Sequence, residues 1–136
     1  MLRQPACAAL SALAVFWAPP AAGAAERAEF LKGTYATADG CRKLQKLAAG
    51  TPRSVETVPE TLDAEGFHGW EGGCRFTRIF EHEAGKVWIG LMFCVEGASL
   101  TPQTYAFVKG DGDSFEVAGS EDDEPDLYLP CNDTSK

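Results

Sequence analysis

Four cysteines follow the N-terminal leader of this chain, and Cys41, Cys74, Cys94 and Cys131 constrain its fold more than any other feature. An even set of cysteines in an exported chain of this size forms structural disulfides, which tie distant segments around a modest core. The leader sets the compartment. Arg3 supplies a positive start, and Ala6 to Trp17 (ACAALSALAVFW) is apolar but shorter than the about 20 residues needed to span a bilayer. After Pro19 and Pro20, Ala22-Gly23-Ala24 has the small-x-small form that signal peptidases cut. The sequence therefore predicts a signal peptide over 1–24 and one disulfide-bonded β-rich domain over 25–136, periplasmic or secreted. Cys7 precedes most of the apolar run and is misplaced for a lipoprotein, and no later segment is apolar enough to span a membrane. The spacing C-x2-C of a zinc site is also absent.

Four cysteines allow three pairings, and the central hairpin selects one. A three-residue loop Glu83-Ala84-Gly85, with Gly85 left-handed, pairs His82 with Lys86. Extended along both strands, that register sets Cys74 against Cys94, Phe76 against Met92 and Phe80 against Trp88 on one face. Arg75, Thr77 and Glu81 fall on the other face. The expected bridges are Cys74 to Cys94 and, by elimination, Cys41 to Cys131.

Turn signals fall at Asp63–Gly66, Glu71–Gly73, Glu83–Gly85, Glu96–Ala98 and Gly110–Asp113, a spacing that suits an antiparallel meander. Ahead of it, Glu29 to Ala36 reads as a first strand, and Asp39 as the cap of a short helix. That helix carries a stripe of Cys41, Leu44 and Leu47 or Ala48, with Gly50 past its end. Thr51 to Pro59 reads as a loop, Leu127 to Cys131 as a last strand, and Asn132 to Lys136 as a disordered tail. The expected fold is mainly β with a minor α part: an antiparallel meander forming a small barrel or sandwich with one short N-terminal helix.

Gly33-Thr34-Tyr35, the run Gly66-Phe67-His68-Gly69-Trp70-Glu71 leading to Cys74-Arg75-Phe76, Cys94 with Glu96-Gly97, and Tyr128 before Cys131 carry a resemblance. They resemble small exported four-cysteine β-rich proteins of Gram-negative bacteria, a group without an assigned activity. The resemblance implies a periplasmic β fold and transfers no functional residue.

Charge is unevenly divided along the chain, whose net charge is −8. Ala25 to Arg53 holds six basic residues against three acids, and the chain from Ser54 onward five against seventeen. A surface with that balance argues against nucleic acid and anionic lipid as partners, and favours cations or a basic protein. The acidic run Glu121, Asp122, Asp123, Glu124 and Asp126 is the expected contact for such a protein. Phe67, His68 and Trp70, set among glycines, form the other candidate site, a recess for a small apolar ligand. His82 lies beside a turn between two glutamates. Asp111-Gly112-Asp113 lacks the later ligands of a calcium loop and reads as a hairpin turn. Without a G-x-S-x-G elbow, an H-E-x-x-H or a phosphate-binding glycine loop, the expectation is a non-enzymatic binding or inhibitor-like module without a cofactor, the alternative being a small apolar-ligand carrier.

Overall fold

Eight short runs of β-forming residues, separated by the expected turns, pair in sequence order. The computed structural model describes residues 25–50, 57–120 and 124–131. Its strands are β1 (Tyr35–Ala36), β2 (Thr61–Asp63), β3 (Gly66–His68), β4 (Gly72–Glu83), β5 (Val87–Glu96), β6 (Ser99–Lys109), β7 (Phe115–Gly119) and β8 (Asp126–Pro130). Helix α1 (Ala38–Ala48) lies between β1 and β2. Each strand is antiparallel to the next, and Tyr35 opposite Pro130 with Ala36 opposite Leu129 joins β1 to β8, closing a barrel. Closure removes the free sheet edges that a sandwich would leave. The signal peptide expected over 1–24 lies outside the described residues, as do 51–56 of the expected loop and the tail from Asn132.

Both expected bridges are present: Cys41 with Cys131 and Cys74 with Cys94. The hairpin that leads to the second differs from expectation at its tip. Glu83, not His82, closes the turn opposite Val87, which alone would shift every pair by two. Two bulges in β4, between Phe76 and Arg78 and between Glu81 and Glu83, each take up one residue. Cys74 therefore still opposes Cys94, and Phe76 still opposes Met92. Phe80 does not meet Trp88: it opposes Ile89 on the outer face and is half exposed, while Glu81 opposes Trp88.

The barrel is filled. Phe76 and Phe107 have no exposed surface, Phe115 and Met92 almost none, and Trp88, Phe67, Tyr35 and Tyr128 join them. Phe107 is central: its ring lies 5.6 Å from those of Phe76 and Phe30 and 6.4 Å from those of Phe67 and Tyr105. Burial of one such side chain contributes about 1.5–3 kcal/mol. Gly90 makes room for the packing, since a Cβ there would stand 2.7 Å from Phe76 and 3.0 Å from Phe107.

The expected first strand shrinks to Tyr35–Ala36. Strand alternation cannot bury Ala28, Leu31 and most of Phe30 together, whereas the turn closed by the Leu31 N–H on the Ala28 carbonyl (2.9 Å) does so. Phe30 then covers one end of the barrel, stacked on Trp88 at 4.3 Å. Helix α1 also starts earlier than expected. Thr37, not Asp39, is its cap and accepts the Gly40 N–H at 3.2 Å; Asp39 sits in the first turn and pairs with Arg42 (3.0 Å) and Lys43 (2.9 Å). Gly50, at φ +76°, takes the left-handed place past the end that the sequence assigns to it.

An apolar outer wall as the candidate functional site

A single-layer barrel needs only alternate residues apolar, one face toward the core and one toward water. Strand β5 breaks that rule. Its inward side chains are Trp88, Met92 and Cys94, yet its outward ones are Val87, Ile89, Leu91, Phe93 and Val95. The β5–β6 register sets Val108, Ala106, Thr104, Pro102 and Leu100 beside these five, row by row. No charged side chain therefore stands on the outer face of the two strands. Phe93 and Val95 are each 47% exposed and Leu100 63%.

The wall ends in a groove. Trp70, 77% exposed in the β3–β4 loop, stands near an open groove of about 440 Å³ lined by His68, Arg75, Phe93, Val95 and Leu100, with an edge of Phe67. Its floor is bare because the backbones approach too closely for side chains: a Cβ on Gly72 would lie 1.8 Å from the Val95 carbonyl oxygen, and one on Gly73 2.4 Å from that of Phe67. On the β4 side, Arg75 opposes Phe93 and Arg78 opposes Leu91; on the β7 side, Glu116 opposes Val108. Arg75 faces Glu65 at 3.9 Å and Arg78 faces Glu26 at 3.7 Å, whereas Glu71, Glu96 and Glu116 form no ion pair among the described residues.

Phe67 and His68 line this groove in unequal roles, whereas Trp70, in the loop between the lining residues Gly69 and Gly72, is not part of its lining. Phe67 is 4% exposed and offers no free face, its ring lying 4.8 Å from that of Tyr105 and 5.9 Å from that of Tyr128. His68 is tied down, its Nε2 3.0 Å from Asp63 Oδ1. The same oxygen accepts the N–H groups of Glu65 (2.7 Å) and Gly66 (3.3 Å), closing the β2–β3 turn. Partial burial works to raise the Asp63 carboxyl, but the hydrogen bonds from His68 and the two backbone N–H groups outweigh it and hold the group below its ordinary 3.8. A depressed carboxyl contributes stability above its unfolded value that is lost as pH falls through the folded one. The urea midpoints of wild type and Asp63→Asn should therefore differ at pH 7, and the difference should shrink as pH falls below the ordinary carboxylate value of about 3.9. A difference that stays the same from pH 7 down through the acid unfolding range would show that the carboxylate charge is irrelevant to the turn.

Of the acidic run, Glu124 and Asp126 are exposed at the start of β8, and Glu121, Asp122 and Asp123 lie outside the described residues. Tyr128 donates to Glu60 Oε1 at 2.8 Å; burial first, then the Glu60 carboxylate, pushes its phenol well above its ordinary value, so it stays neutral. Among the described residues no group of three His, Cys, Asp or Glu side chains could hold a metal ion, and no helix is long and apolar enough to cross a membrane. Strands β1, β2, β3, β7 and β8, of two to five residues, are too short to span a bilayer, which takes about 9–11.

Fold and surface together define the class: a small closed antiparallel β-barrel, stapled by two disulfides, filled by aromatic rings and apolar on one outer face. The chain matches no protein-family model, no curated protein and no solved structure.

Proposed function

We propose that this protein is an exported, non-enzymatic binding module of the inhibitor kind, which docks on a basic protein through the β5–β6 wall. The observation that carries the reading is the uncharged outer face of two adjacent ten- and eleven-residue strands. At about 3.3 Å per residue and 4.8 Å between strands, such a wall presents roughly 300–400 Å². That is half of what one partner contributes to an ordinary interface. Trp70, Phe80 and the groove supply area beyond it, and an exposed tryptophan at the edge of an apolar patch is the residue type that dominates binding energies. Charge selects the partner: two copies of this net-negative chain repel, while a basic protein is attracted and meets Glu71, Glu96 and Glu116 around the wall. A carrier role fits less well, because the interior is occupied by its own rings and the groove beside Trp70 is open.

Affinity capture with wild type, Phe93→Lys and Trp70→Ala tests this. The expected partner is basic, is retained by wild type at low salt, and is lost by at least about tenfold with either variant, since truncating an anchor costs 2 kcal/mol or more. Melting should hardly move, because substitutions at such exposed positions stay within about 0.5 kcal/mol. Equal retention by all three proteins rejects the wall as the interface. Neutralising Glu121, Asp122, Asp123, Glu124 and Asp126 to Gln and Asn should slow association several-fold at low ionic strength, with the difference shrinking near physiological salt, where screening acts over about 8 Å. An unchanged association rate at low salt excludes the acidic run from steering.

A further inference from the structure

The barrel has a second concave feature, at the other end of β5 from Trp70. A bowl of about 620 Å³, within the usual range for small-molecule sites, opens where the β4–β5 and β6–β7 turns meet the ends of β1 and β8. Beneath it lie the buried inward side chains of three strands, Tyr35, Trp88 and Phe115, and the partly exposed Phe30 lies flat on Trp88, with 8° between the rings. The rim is kept bare by Gly85 and Gly112, both left-handed, with nothing within 4 Å of where a Cβ would stand.

Lys32 and Lys109 also line the bowl, against a single acid, Asp113. Asp113 is the one non-glycine residue with a left-handed backbone among the described residues, at φ +61°, and its carboxylate holds the Lys109 ammonium at 3.3 Å, beside the opening. Glu29 is 4.0 Å from Lys32, and both side chains are more than three-quarters exposed. We propose that this mouth binds a small planar organic anion, its ring against the partly exposed Phe30 and its charge between Lys32 and Lys109. A neutral apolar molecule would cover the ammonium groups without replacing their water, and a cation would face two like charges; an aromatic carboxylate or sulfonate satisfies both the rings and the lysines. The site does not depend on the protein-binding reading of the outer wall.

The test uses the oxidised protein with 1-anilinonaphthalene-8-sulfonate as probe and N-phenyl-1-naphthylamine as its neutral counterpart, followed by ¹⁵N chemical shifts. Binding should saturate at one site and move the amides of Gly85, Gly112 and Asp113 and the indole of Trp88. The Lys32→Ala/Lys109→Ala variant should bind the sulfonate about fivefold to tenfold more weakly and the neutral amine within about twofold of wild type, while Lys32→Arg/Lys109→Arg should keep the sulfonate affinity. Shifts confined to Leu91–Leu100, which would place the dye on the outer wall, overturn the proposal. So does a sulfonate affinity that ignores both lysines, or no binding at all. The amide spectrum of each variant verifies its fold in the same experiment.

Discussion

Replacing Cys41 and Cys131 together by alanine is expected to lower the free energy of unfolding by about 4–5 kcal/mol, against about 3 kcal/mol for the pair Cys74 and Cys94. The bridges join residues 90 and 20 positions apart, and a cross-link restricts the unfolded chain more when it closes the longer loop. The structure adds a local reason for the same order. Cys41 sits in α1, whose contacts with the sheet run to β1 and β8, and Cys131 follows β8 directly, so this bridge pins the helix across the seam where the barrel closes. Cys74 and Cys94 already face each other across a ladder of ten residue pairs, which the backbone hydrogen bonds of β4 and β5 hold without sulfur. Domains of this size are stable by about 5–15 kcal/mol in all, so loss of the first bridge should leave a protein close to unfolding at body temperature. Urea titrations of the two double variants decide it; a larger loss from the Cys74 and Cys94 pair would contradict both arguments.

Phe107→Ala should cost about 3–5 kcal/mol, while Phe80→Ala should cost less than about 0.5 kcal/mol. Both are phenylalanines on long strands of the same sheet. Phe107 is fully buried and touches four other rings, so its removal leaves a cavity that the closed wall cannot collapse around. Phe80 is half exposed on the outer face. The pair is also a direct test of the bulge between Phe76 and Arg78, because the unshifted register would carry Phe80 inside against Trp88. Comparable losses from the two variants would restore that register.

Much of the fold is legible in local chemistry. The turn residues Ala64-Glu65, Gly85 and Gly97 stand between strands as their composition requires, Gly50 ends the helix, and the cystine pairing follows from the hairpin. Cys74 meets Cys94 although the hairpin tip is displaced by one residue on each side from the expected one, and only because two bulges restore the count. Bulges carry no reliable local signature, since they form where twist and closure of the whole sheet demand an extra residue. The candidate surface was partly legible too. VWIGLMFCV is an uninterrupted apolar run, a signal for a strand covered on both faces; attention to its alternation alone hides the outward half. The pairing of that half with Leu100 to Val108 appears only with the β5–β6 register.

The amino-acid order encodes the meander and its turns, because each rests on interactions between residues near in the chain, whereas the meeting of Cys74 with Cys94 also needed the two bulges of β4. Tertiary structure decided the rest. Whether eight strands close into a barrel depends on Tyr35 and Ala36 finding Pro130 and Leu129 across nearly the whole chain, and no local propensity encodes that meeting. The same closure turned Phe67 from a recess-lining ring into a core residue and freed Phe30 from its expected strand to cover the barrel end. It also left the outer faces of β5 and β6 without a second layer, since a closed sheet fills its interior from one face and must leave the other to water or to a partner.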